Sequence, residues 1–150
     1  MNKTGSLIVF LVIVIGGGLT IGYLTAPGEW YQGLAKPSFN PPAWVFAPVW
    51  TLLYILIAIA GWRVFQRAPS STAMKLWYAQ IALNFLWSPV FFSAHMTGAA
   101  LVVIGLLLAA ILGFIVTARR VDRAAAWLFT PYAAWVAFAS VLNASIFVLN

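Results

Sequence analysis

Residues 97–118 read TGAALVVIGLLLAAILGFIVTA, with no charged side chain anywhere in the run. A membrane-spanning helix needs roughly 20 apolar residues at about 1.5 Å rise each. This stretch meets that length and does not alternate polar with apolar residues, so it reads as a helix in lipid. The rest of the chain has the same character. Of its 150 residues 64% are hydrophobic and 7% are charged, and the mean hydropathy is +1.00. A soluble domain is about 45–50% apolar and about 25% charged. Too few polar groups exist to cover a water-facing surface, and the excess apolar surface belongs against lipid.

Working outward, four more runs have span-like length: about 6–26, 43–65, 73–92 and 124–149. The predicted fold is therefore an all-α membrane protein, a single five-transmembrane-helix bundle over residues 1–150. A transmembrane β-barrel would need alternating segments of about ten residues, which are absent. Lys3 before an apolar run resembles a secretory leader, but the run 7–26 is long for one and Pro27 follows the first cleavage-like position. It reads as a first span.

Residues 67–72, 93–96 and 119–123 are short links that force antiparallel neighbours. Residues 27–42, PGEWYQGLAKPSFNPP, are different. Proline and glycine interrupt a long helix there, while Trp30, Tyr31 and Phe39 argue against a floppy linker. The segment reads as a lid-like, partly ordered loop on one end of the bundle. Five spans gather Lys3, Arg63, Arg67, Lys75, Arg119, Arg120 and Arg123 on one side and leave Lys36 on the other. The positive-inside rule then places the N-terminus in the cytoplasm and the long loop and C-terminus outside. The net charge of +6 is read as a topology signal and a contact with anionic membrane lipids, not as a nucleic-acid surface.

Catalytic and metal-binding groups are scarce. The chain has no cysteine, and its two acids, Glu29 and Asp122, lie outside the spans. No metal cluster, carboxylate pair or nucleophile–base pair is visible. No ionisable group lies deep in a span, which argues against ion-coupled transport. His95 reads as an interfacial residue. Tryptophan is abundant: Trp44, Trp62, Trp77 and Trp127 fall near span ends and read as an interfacial belt, whereas Trp50, Trp87 and Trp135 fall further in. Gln80, Asn84 and Ser88 share one helical face, and Ser140 and Asn143 share another. These polar residues point inward, either to bond between helices or to meet a ligand in an aromatic pocket. Small residues at Gly18 and Gly22, and at Gly105, Ala109 and Gly113, mark close packing within the bundle or in a dimer.

Three segments carry a resemblance. The first joins Trp30-Tyr31 and Lys36-Pro37 to NPPAWVFAPVWTLLY over Asn40–Tyr54. The second is QIALNFLWSPVFF over Gln80–Phe92. The third is PYAAWVAFA over Pro131–Ala139, with Leu142-Asn143. Together they resemble the tryptophan-rich sensory protein and translocator protein (peripheral benzodiazepine receptor) family, from about residue 7 to the end. The resemblance implies a five-helix bundle, commonly a homodimer. It also implies a pocket under the loop between the first two spans that takes porphyrin-type tetrapyrroles, such as protoporphyrin or haem, or isoquinoline- and benzodiazepine-like ligands. The site residues expected on this basis are Tyr31, Phe39, Phe46, Trp50, Tyr54, Asn84, Trp87, Trp135, Ala139 and Asn143. The porphyrin is expected as a ligand, with no other cofactor and no metal. The expected role is a receptor or sensor; the alternatives are passive transport of porphyrins or lipids, and light-dependent porphyrin degradation involving Tyr31 and Trp135. Two departures stand out. Ser38 and Phe39 occupy positions where many bacterial members carry two tryptophans. Residues 142–150, LNASIFVLN, lack the tyrosine and base of the animal sterol motif.

Overall fold

The computed structural model describes residues 2–150, and these are helical almost throughout. Helix α1 runs Lys3–Leu24, α3 Ala43–Arg67, α5 Thr97–Ala118 and α6 Arg123–Leu149; all four are long and apolar enough to cross a membrane. Between α1 and α3 lies a single turn, α2, Glu29–Gln32. Helix α4 covers Thr72–Ser88 and continues through a π-helical turn, Pro89–Ser93. It matches the others in length but carries Lys75, Gln80 and Asn84, which lower its apolarity.

Local sequence accounts for the boundaries. Asn2 caps α1 by accepting from the Gly5 N–H at 2.6 Å. Ser71 caps α4 by accepting from the Met74 N–H. These side chains satisfy N–H groups that a helix start leaves free. Pro41 and Pro42 lead into a 3₁₀ turn, Ala43–Val45, that opens α3. Pro131 stands in the first turn of the main segment of α6, where its missing N–H costs nothing.

The helices form a closed ring in the order α1, α3, α6, α5, α4, with α4 returning to α1. The core is one apolar cluster containing Ile57, Met74, Ile111, Phe114, Phe129 and Val136. Glycine sets two of the closest approaches. A Cβ on Gly18 would run into the Tyr54 ring, and one on Gly61 into the Trp77 indole. Gly113 meets Leu76, whereas Gly22 and Gly105 have nothing within 4 Å. The small-residue pattern thus serves packing inside the bundle at Gly18 and Gly113 and faces outward at Gly22 and Gly105.

The expected tryptophan belt needs one correction. Trp44 and Trp127 are 75% and 72% exposed, as a lipid-facing belt requires. Trp77 is buried, and its indole donates to the Ile57 carbonyl at 3.0 Å. The reason is Gly61, whose bare backbone leaves room for the ring one turn along from that carbonyl. Trp62 is half-buried and donates to the Lys3 carbonyl and Ser6 Oγ.

The 27–42 segment is tied down at several points. Trp30 stacks on His95 at 4.1 Å, and His95 holds a left-handed backbone with φ 59°. The Asn150 side chain accepts from the Ala35 N–H and donates to the Ala35 carbonyl, at 3.1 and 2.9 Å. Lys36 Nζ lies 4.4 Å from the centroid of the Tyr31 ring. At the opposite end Asp122 bridges two elements. It accepts from Arg63 at 2.5 and 3.2 Å and lies 3.7 Å from Arg67. The Arg63 hydrogen bond holds the Asp122 carboxyl below the usual carboxylate range, burial partly opposes this, and Arg67 adds to the lowering.

Candidate ligand site between α3 and α6

Near the loop end, α3 and α6 separate. On α3, Phe46, Val49, Trp50, Leu53 and Tyr54 recur at helical spacing on the face toward the bundle. On α6, Pro131, Ala134, Trp135 and Phe138 line the cavity opposite them, Trp135 and Phe138 half-buried and Pro131 and Ala134 exposed. The cavity between them is about 400 Å³ and is lined by Val49, Leu52, Leu53 and those four α6 residues. Ring contacts frame it. Phe46 meets Trp135 edge-on at 5.8 Å, Trp135 lies 5.7 Å from Phe138, and Phe138 lies 6.2 Å from Phe39 of the loop. Trp50 lies 5.6 Å from Tyr54 and 6.5 Å from Tyr132.

Two polar networks lie behind this wall. Tyr132 is fully buried; its hydroxyl accepts from Asn84 at 2.7 Å and donates to Gln80 Oε1 at 2.8 Å. Asn143 accepts from the Trp87 indole at 2.9 Å and donates to the Thr97 carbonyl at 2.9 Å. Both networks join helices whose polar atoms have no water to turn to. Three buried side-chain atoms have no hydrogen-bond partner among the described residues, Asn40 Oδ1, Gln80 Nε2 and the Trp135 indole nitrogen, and of their residues Trp135 alone lines the cavity.

The sequence pattern of the TspO/MBR family matches residues 9–149. The chain belongs to the TspO/MBR family. It is similar to a tryptophan-rich sensory protein of Cereibacter sphaeroides, at 37% identity over 150 residues, covering 100% of this chain and 95% of that one. It is also similar to a tryptophan-rich protein TspO of Archaeoglobus fulgidus, at 37% identity, covering 96% of each. With the human translocator protein it shares 38% identity over 134 residues, 84% of this chain and 79% of that one. Family membership and the four long apolar helices make this an integral membrane protein.

In this TspO/MBR chain the ten expected site residues fall into separate groups. Phe46, Trp50, Tyr54, Trp135 and Ala139 lie along the α3–α6 seam, and Phe39 reaches it through Phe138. Asn84 lies one layer deeper, on Tyr132. Trp87, Asn143 and Tyr31 lie elsewhere, around the end of α4. Tyr31 packs on Phe92 at 5.2 Å and on Phe91 at 6.2 Å. Burial raises its hydroxyl above the ordinary tyrosine value, with Asn40 partly opposing. Among the described residues no ring contact joins Tyr31 to Trp135. The cavity walls also include Leu53, Pro131, Ala134 and Phe138, which motif reading passed over. For Leu53, Pro131 and Phe138 the available signal was a spacing of three or four from Trp50 or Trp135 on one helical face, and Ala134, next to Trp135, carried no such signal.

Proposed function

We propose that this chain is a membrane receptor that binds porphyrin-type tetrapyrroles, or other planar lipophilic ligands of the isoquinoline or benzodiazepine kind, in the α3–α6 cavity beneath the 27–42 segment. The observation that carries this reading is the Trp135 N–H, a buried donor without an acceptor on an otherwise apolar wall. Leaving such a donor unpaired costs about 1–3 kcal/mol, and a ligand acceptor relieves it. Flanking rings offer a planar ligand its apolar faces. Asn84 and Asn143 support the site by fixing the helices that wall it. The reading includes α4 as a fifth span, since Gln80 and Asn84 turn inward and its lower apolarity is held inside the bundle. It places the basic end in the cytoplasm and treats the working form as a homodimer.

The test is a tryptophan-fluorescence titration of detergent-solubilised protein with protoporphyrin in the dark. Saturable quenching is expected, with affinity falling about threefold to tenfold in Trp135→Phe, the worth of one neutral hydrogen bond. Linear quenching identical in the variant would mean partition into micelles and would reject the site. Illuminating the complex then distinguishes a receptor from a light-dependent porphyrin-degrading activity.

A second reading, passive movement of the same ligands across the membrane, is favoured by Leu52. It lines the cavity and is 57% exposed, so the cavity opens on the outer face of the bundle. Porphyrin flux into protein-containing vesicles no faster than into empty ones would reject it.

A further inference from the structure

At the basic end, a second cavity of about 330 Å³ lies between the start of α4 and the end of α5. Its polar lining is Ser71, Thr72, Thr117 and Arg120, and Val116 and Val121 lie beside them. The hydroxyl protons of Ser71 and Thr117 are already committed, to the Ala68 and Gly113 carbonyls at 2.7 and 2.8 Å. Among the described residues, no hydrogen bond or ion pair holds the Thr72 hydroxyl or the Arg120 guanidinium. The free polar groups are therefore the Thr72 hydroxyl, which can donate as well as accept, and the Arg120 guanidinium, which only donates and carries a full positive charge.

The charge around this cavity has no local counter-ion. Asp122 is the one acid at this end, and it is buried and engaged by Arg63 and Arg67. Arg119, Arg123 and Lys75 are exposed nearby in sequence and add positive potential. The cavity also stands where the apolar run of α5 gives out at Ala118. That is the depth of lipid headgroups when α5 spans the bilayer. Basic pockets between membrane helices on the cytoplasmic side suit anionic headgroups, whose leaflet is negatively charged.

We propose that this cavity holds the phosphate headgroup of an anionic membrane phospholipid, with Arg120 and Thr72 donating to the phosphate and Val116 and Val121 against the glycerol and first acyl carbons. The inference rests on the membrane placement given above and is independent of any ligand in the α3–α6 cavity. A free phosphate offers the same oxygens, but it leaves the two valines facing water.

Native mass spectrometry of the detergent-purified chain tests it, with phosphatidylglycerol, phosphatidylcholine and inorganic phosphate added separately and in competition. Phosphatidylglycerol is expected to be retained over phosphatidylcholine. Arg120→Ala should weaken it about tenfold or more, as loss of a charge-assisted hydrogen bond implies. Arg119→Ala removes the same charge one residue away without touching the cavity, and should cost about fivefold at most. Both arginines are exposed, and thermal unfolding confirms that each variant folds. Equal losses in the two variants would mean diffuse surface charge and would overturn the site. Displacement of phosphatidylglycerol by equimolar inorganic phosphate would overturn the lipid assignment. Absence of porphyrin binding would leave all these outcomes readable.

Discussion

The contacts of α4 and the seam between α3 and α6 use the same kinds of residue, tryptophan, tyrosine and amides, yet their polar atoms behave differently. Along α4, Trp77 bonds to the α3 backbone, Asn84 and Gln80 bond to Tyr132, and Trp87 bonds to Asn143. Each of these bonds crosses to another helix. Along the α3–α6 seam, Trp135 crosses to nothing. Gln80 Nε2 is also unpartnered, but Gln80 is 0% exposed and lines neither cavity, so it has no route to a ligand. In a bundle where lipid offers no hydrogen bonds, a paired polar atom fixes a helix, and the unpaired Trp135 nitrogen is the feature on which the proposed binding site rests.

That contrast can be broken by mutation. The largest effect belongs to Trp77→Ala, which empties the space over Gly61 and removes the bond to Ile57. A loss of about 3–5 kcal/mol is expected by denaturant unfolding in detergent. Tyr132→Phe strands the Asn84 donor and the Gln80 acceptor in the core and should cost about 1–3 kcal/mol in the same assay. Trp135→Phe removes no hydrogen bond within the protein, and shedding an unpaired buried N–H, worth about 1–3 kcal/mol, offsets the smaller ring's lost packing, so no net destabilisation is expected while porphyrin affinity falls. A destabilisation as large as that of Tyr132→Phe would erase the distinction between the two regions.

The smallest expected effect is one of pH. The Asp122 carboxyl is held below its ordinary value, so the stabilisation it gives is complete above about pH 3.9 and is lost as pH falls through the lowered folded value. The difference in thermal unfolding between the parent and Asp122→Asn should shrink over that acid window and stay constant above it. A difference that persists unchanged to the lowest pH would show that the Arg63 pair contributes nothing.

Much of this architecture can be read from the chain. Residues 97–118 form the same helix in both readings, because lipid-facing length and apolarity leave little else for such a run to do. The inward face of α4 is legible from the spacing of Gln80 and Asn84. What those amides meet is not, because their shared partner, the Tyr132 hydroxyl, belongs to another helix and depends on how the ring closes. Trp77 shows the same limit. Nothing local separates a belt tryptophan from a core one, and Gly61, sixteen positions earlier, makes the difference. The cavity is only partly legible. Trp50 and Trp135 mark its two helices, but the separation of α3 from α6 that creates the volume is a property of packing. The 27–42 segment is more ordered than its prolines suggest, since Asn150 and His95, both remote in sequence, hold it.

Helix α1 contains a π-helical turn at Val12–Gly16. Such a turn carries one residue more than an α-helix would use over the same bonds. The wider turn absorbs that residue, so deleting one residue there and restoring regular winding would keep Gly18 facing the Tyr54 ring, whereas a deletion from a regular turn would swing the face by about 100°. Val12 and Ile13, at 64% and 55% exposed, should accept most apolar replacements. This part of the chain can therefore lose one residue, or exchange its apolar residues, and still present Gly18 to Tyr54, so relatives that fold alike can differ here by a one-residue gap as well as by exchange.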